Sequence, residues 1–156
     1  MADRRSEARN GFESAHRELC QLVDAMSAEE MQRESSNPGW SARDLMAHLA
    51  TIDERLRAQM QAALDSQPYE SLEDVNTFNE RMVAERRNWS LDKVRSELDQ
   101  QRNATLALFD SANDSQLDNA IMHPRRGRLT LLDLAKHAGE HIRTHSSEIA
   151  ATRAAK

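Results

Sequence analysis

Apolar residues recur at helical spacing in four long segments of the chain. From Arg4 to Met26 the spaced set is Phe12, Ala15, Leu19, Leu22, Val23 and Met26. From Ala42 to Asp65 it is Leu45, Leu49, Ile52, Leu56 and Met60. From Leu91 to Ala112 it is Val94, Leu98, Leu106 and Phe109, and a fourth segment runs from Leu131 to Arg153. Spacings of three and four place such residues on one face of an α-helix, so each segment is predicted to be helical with one side buried. The starts are marked as well. Ser41-Ala-Arg-Asp44 and Thr130-Leu-Leu-Asp133 read as capping boxes with Asp in place of Glu, and Ser90 as an N-cap. The run NPGW, residues 37–40, is a turn feeding the second helix, and HPRRGR, residues 123–128, reads as a loop before the fourth.

The connection over residues 67–89 is long for a bundle, where helix-to-helix loops usually take about 2–8 residues. A short helix from about Leu72 to Arg87, opened by Ser71-Leu-Glu-Asp74, fits inside it. Such a connection has room to cross the length of the molecule. Helix 3 is then expected to run parallel to helix 2, and helix 4 antiparallel to it. The fold class is all-α: an up-down-down-up four-helix bundle with a helical crossover between helices 2 and 3.

Composition narrows the function. The 156 residues suit a single domain over 1–156, and scarce glycine (4) and proline (3) agree with long helices. A net charge of -5 gives no basic face, so nucleic acid is not an expected partner. No apolar stretch approaches the roughly 20 residues of a membrane span, and MADRRSEARN has no signal-peptide core. One cysteine, Cys20, excludes an internal disulfide and fits a cytoplasmic protein; its place at the edge of an apolar stripe reads as packing.

The candidate chemistry lies in LLDLAKHAGEHIRTHSSEIA, residues 131–150, where His137, His141 and His145 stand four apart. A polar stripe, a pH-sensitive surface and a metal site are the three readings of such a row. On a helical wheel His145 lies about 40° and His141 about 80° from Leu131, on one flank of the stripe of Ala135, Ala138, Ile142 and Ile149. His137, about 120° away, is marginal. His48 flanks the apolar stripe of the second helix. With that helix antiparallel to the fourth, His48 and His145 fall at nearly the same height. Two imidazoles from one helix and one from its neighbour then converge, which is the layout of a three-histidine metal site. His16 and His123 read as surface residues without a motif. His137-Ala-Gly-Glu-His141 matches the inverzincin pattern H-x-x-E-H, but Glu140 faces away from the core, so a protease reading fails. Arg125, Arg126 and Arg128 read as a solvated loop at the far end of the fourth helix.

Trp40-Ser-Ala-Arg-Asp-Leu-Met-Ala-His48-Leu, the stretch FNERMVAERRNWS with Asn79, Arg86 and Ser90, and Leu129-Thr-Leu-Leu-Asp-Leu with Glu140-His141-Ile-Arg-Thr-His145 and Ile149 resemble the DinB-like superfamily of bacterial four-helix proteins. The resemblance covers about residues 10–152. It implies an up-down-down-up bundle and a divalent metal ion (nickel, zinc or iron) held by three histidines whose positions match His48, His141 and His145; His137 lies outside that set. It also implies a small-molecule substrate, homodimers, and for characterised relatives a low-molecular-weight thiol, mycothiol or bacillithiol, used by isomerases and S-transferases. A metal-dependent enzyme and a non-catalytic metal- or ligand-binding bundle are the two function classes left open.

Overall fold

The computed structural model describes residues 3–71 and 73–154. Its long helices are α1 (Arg4–Asp24), α3 (Ala42–Leu64), α5 (Leu91–Ser111) and α6 (Leu131–Ala154); α2 (Ala28–Met31) and α4 (Val75–Arg86) are short. The sequence periodicity therefore locates all four long helices to within two residues at each end. The anticipated caps form. The Ser41 hydroxyl accepts from Asp44 N–H while the Asp44 carboxylate accepts from Ser41 N–H, each at 3.1 Å. Thr130 and Asp133 exchange the same pair of bonds at 3.0 Å, and Ser90 caps α5 through Lys93 N–H. Each satisfies amides that have no partner inside the helix.

Contacts between helices fix their directions. Arg9 meets Asp110, His16 meets Asp99 and Asp24 meets Arg95, so α1 and α5 are antiparallel. Arg43 donates to the carbonyls of Arg86 and Trp89 just before α5, whereas Asp53 and Arg57 meet Thr105 further along, so α3 and α5 are parallel. His48 meets His141, while Asn119, whose carbonyl accepts from Leu131 N–H at the start of α6, donates to Leu64 O at the end of α3. Helices α3 and α6 are thus antiparallel, and the bundle is up-down-down-up. Helix α6 also lies close on α1: a Cβ at Gly139 would sit 3.4 Å from the carbonyl oxygen of Gly11 and from the backbone of Phe12.

The core is built from the spaced residues, with Phe12, Leu19, Leu45, Met60, Val94, Leu98, Phe109, Leu131, Leu134 and Ile149 all buried. The NPGW turn closes through Trp40 N–H to Asn37 O, and Gly39 takes φ +82°, a conformation that favours glycine.

Three local expectations change. Residues 123–128 are not an irregular loop but part of an antiparallel hairpin, β1 (Ala120–His123) paired with β2 (Gly127–Thr130). The crossover helix begins at Val75, capped by the Asp74 carboxylate on Asn76 and Thr77 N–H, and Ser71 bonds Glu73 O and Arg55 instead; the anticipated start at Leu72 lies outside the described residues. Helix α2, opened by a Ser27/Glu30 capping box, was not anticipated. No helix among the described residues is long and apolar enough to cross a membrane.

Candidate metal centre

Helices α3 and α6, the crossover and the hairpin surround a cleft of about 730 Å³, and His48, His141 and His145 stand on its wall. His48 is buried, and the other two are half-buried at the rim of the α6 stripe. The Nε2 atoms of His48 and His141 are 3.3 Å apart, and those of His141 and His145 are 3.1 Å apart. The side chains pack edge to face, with ring centroids 4.5–5.1 Å apart. His137 lies outside this group. Its Nε2 meets the Arg126 guanidinium, and its ring is 6.2 Å from that of His141.

The donor set fits a divalent ion. Nitrogens bound at 2.0–2.1 Å around a tetrahedral zinc stand roughly 3.3 Å apart; His141 Nε2 lies at 3.3 and 3.1 Å from the other two, and the three donor atoms are all within 4.8 Å of one another. His145 Nδ1 lies 2.8 Å from the Glu148 carboxylate. A carboxylate only accepts, so Nδ1 carries the proton and Nε2 presents its lone pair to the cleft. Desolvation, with the nearby His145 adding to it, lowers the His48 pKa to about 3. Burial does the same at His141, helped by His48 and His145. Both rings are therefore neutral at physiological pH, the form that binds metal.

Further polar groups on the cleft were not read from the sequence. The buried atoms Trp40 Nε1, His48 Nδ1 and Asn79 Oδ1 have no hydrogen-bond partner among the described residues, and their side chains line the cleft. Asp53, also on the wall, accepts from the Thr105 hydroxyl at 2.9 Å, and burial raises its pKa to about 6. Asp53 falls five residues after His48, a spacing without a motif. Glu148 was missed as well, although a carboxylate three residues after a histidine lies on the same helical face and could have been found by that spacing.

Two expectations about basic residues are corrected. The arginine segment is not remote from the histidines. The β1–β2 turn folds Arg125 and Arg126 back over the cleft, and His123 lies on the same wall, its Nδ1 accepting from the backbone N–H of Arg125 and Arg126. His16 is not on the surface. It is buried between α1 and α5 beside Cys20 and Asp99, because it lies four residues after Phe12 and three before Leu19 on the apolar face.

The DinB superfamily model matches residues 12–149. No curated protein matches the chain by sequence. Among solved structures, a mycothiol-dependent maleylpyruvate isomerase superposes with a TM-score of 0.81 at 11% identity, over 96% of this chain and 63% of that one. The chain thus spans less than two thirds of that enzyme. YfiT from Bacillus subtilis, described as "a probable metal-dependent hydrolase with an unusual four-helix bundle topology", gives 0.76 at 18% identity, covering 96% and 87%. The colibactin self-resistance protein ClbS, solved in complex with a dsDNA, gives 0.77 at 10% identity, covering 97% and 96%. At these identities the likeness is one of fold.

Proposed function

The chain belongs to the DinB superfamily, and on that footing we propose that it is a divalent-metal-dependent enzyme whose metal is held by His48, His141 and His145. The observation that carries this reading is the convergence of three Nε2 atoms on one point of an open cleft, with Glu148 fixing the tautomer of one of them. Bound there, nickel, zinc or iron supplies Lewis acidity that lowers the pKa of a thiol or water reaching the cleft. Three protein donors leave coordination positions open, as catalytic rather than structural sites do. The protein's own groups do the rest. Burial keeps His48 and His141 unprotonated, Trp40 Nε1 and Asn79 Oδ1 offer a donor and an acceptor to a substrate, and Arg125 and Arg126 at the rim favour an anionic one.

The reaction class we propose is S-transfer or isomerisation of a small molecule with a low-molecular-weight thiol such as mycothiol or bacillithiol. The chain's single cysteine is not on this cleft, so the thiol comes from a cofactor. The net charge of -5 gives no basic face for nucleic acid and favours a small molecule. We place the protein in the cytoplasm on the same grounds as the thiol. The homodimer implied by the superfamily is part of this reading; Met122 is the large exposed hydrophobic among the described residues. Sedimentation as one species near 17.7 kDa would remove the dimer.

The test is metal analysis of the purified protein followed by conjugation of mycothiol, bacillithiol and glutathione to electrophiles. Loss of thiol turnover in His141→Ala, together with loss of the metal that His48 and His145 help to hold, supports the enzyme. Bound metal with no turnover for any thiol leaves the second reading, a non-catalytic metal-binding bundle.

A further inference from the structure

Away from the cleft, α1 and α5 bring three donors of different chemistry to a single point. His16 Nε2 is 3.0 Å from Asp99 Oδ1 and 3.2 Å from Cys20 Sγ, and the sulfur is 3.9 Å from the same carboxylate oxygen. His16 and Cys20 are one helical turn apart on α1, so both side chains leave the same face. Asp99 comes from the antiparallel α5. Its other oxygen is held by Arg95 at 2.7 Å, which leaves Oδ1 aimed at the histidine and the thiol.

Without an ion, Asp99 Oδ1 accepts from a protonated His16 Nε2 at 3.0 Å and from the Cys20 thiol at 3.9 Å, and the 3.2 Å approach of sulfur to Nε2 is then left with no proton between the two atoms. Both the carboxylate and the sulfur lie against the same ring nitrogen. If Nε2 carries a proton, that proton serves Asp99 or the sulfur, not both with good geometry. If it carries none, its lone pair faces a carboxylate lone pair at hydrogen-bond distance. A serine–histidine–aspartate type of relay is also excluded, because there the acid holds one ring nitrogen and the nucleophile the other. A dication at the common point satisfies all three donors. With bonds of roughly 2.0 Å to nitrogen and oxygen and 2.3 Å to sulfur, tetrahedral ligands stand roughly 3.3–3.5 Å apart, and the three measured separations bracket that range.

We propose that His16, Cys20 and Asp99 form a second divalent-cation site, selective for zinc and other thiolate-binding ions. Binding moves the thiol proton to solvent and leaves a thiolate, a carboxylate and a neutral imidazole around the ion, so the local charge sums to zero. The Asp99 side chain is 43% exposed, so an ion and a fourth ligand, water, reach the cluster from solvent. Arg95 and Arg102 lie close enough to oppose the cation, but Arg95 is paired with Asp24 at 2.9 Å as well as with Asp99. The site shares no residue with the cleft and does not depend on its assignment.

Cobalt(II) provides the test, because a thiolate bound to it absorbs in the near-ultraviolet by sulfur-to-metal charge transfer and imidazole does not. Cys20 is the sole cysteine, so the band reports this site alone. Full-length protein stripped of metal by a chelator is titrated with cobalt at pH 7.5, and folding of each variant is checked by circular dichroism. The expected result is a saturable charge-transfer band in the wild type, retained in His141→Ala, lost in Cys20→Ser, and weakened at least about tenfold in apparent affinity in Asp99→Asn and His16→Gln. Absence of the band in both the wild type and His141→Ala overturns the proposal. So does a band that keeps its affinity in Asp99→Asn and His16→Gln, which makes it adventitious binding by the thiol alone.

Discussion

His141 and His145 on α6 and His16 and Cys20 on α1 are pairs built on the same four-residue spacing, and each pair meets a third donor from a neighbouring helix. In the cleft the third donor is His48 from α3; on the other side of the bundle it is Asp99 from α5. The surroundings differ. Helices α3 and α6 are flanked by the crossover and the hairpin, which wall off about 730 Å³ beside the imidazoles. Helices α1 and α5 face each other across long side chains, joined by the Arg9–Asp110 and Arg95–Asp24 ion pairs and by His16 on Asp99. The donors differ too. Three neutral imidazoles leave a dication's charge uncompensated, which favours an incoming anion such as a thiolate or carboxylate. A thiolate and a carboxylate cancel that charge and leave nothing to attract a substrate. On the two proposals, the same local geometry would serve exchange of ligands in one place and retention of an ion in the other.

The largest effect separating the two regions is expected from His141→Ala. His141 is the middle imidazole of the three, within 3.1–3.3 Å of both others. Its loss is expected to weaken zinc or nickel binding in the cleft by more than the about 10–100-fold that follows loss of a supporting partner, while cobalt binding at Cys20 is unchanged. Calorimetry on the variant, with the charge-transfer band as the internal control, measures both. Glu148→Gln comes next. It replaces the carboxylate on His145 Nδ1 by a weaker acceptor, and a loss of about tenfold in cleft affinity is expected from a partner of this kind. An unchanged affinity would mean that Glu148 does not orient the ring.

The pH dependence distinguishes the clusters in another way. Burial lowers the pKa values of His48 and His141 to about 3, so neither ring holds a proton for metal to displace between pH 7 and 8, and cleft affinity is expected to be nearly flat there. Burial raises the Cys20 thiol to about 11, so it stays protonated over the same range and must release its proton to bind. His16 is pushed down by burial and Asp99 is held down by Arg95 and His16 despite its own desolvation, so each is already in its binding form. One proton released per ion means that affinity at Cys20 rises about tenfold per pH unit. Equal slopes at the two sites, from competition titrations at pH 7 and 8, would break the distinction. The smallest effect is expected from His137→Ala. Its ring is turned to Arg126 rather than to the imidazole cluster, so calorimetric affinity in the cleft should shift by less than about threefold, little beside the loss of a ligand.

What could be read from the sequence divides along physical lines. The long helices announced themselves because periodicity and caps are local. The His48–His145 register followed from one topological inference, the length of residues 67–89. The hairpin did not, because the pair Ile121–Met122 and the lone Leu129 are shorter than the four- to eight-residue runs that mark strands. That omission hid the return of Arg125 and Arg126 to the cleft. His16 was misplaced although its spacing from Phe12 and Leu19 puts it on the buried face. What makes a histidine tolerable there is Asp99, eighty-three residues away in sequence, and only the antiparallel placement of α5 opposite α1 supplies it.

The most direct test of the cleft assignment is a crystal structure grown with zinc and measured at the zinc absorption edge. The expected result is an anomalous peak about 2.0–2.1 Å from Nε2 of His48, His141 and His145 together. No peak at that point, or a peak held by His137 and His141 in place of His145, would contradict it.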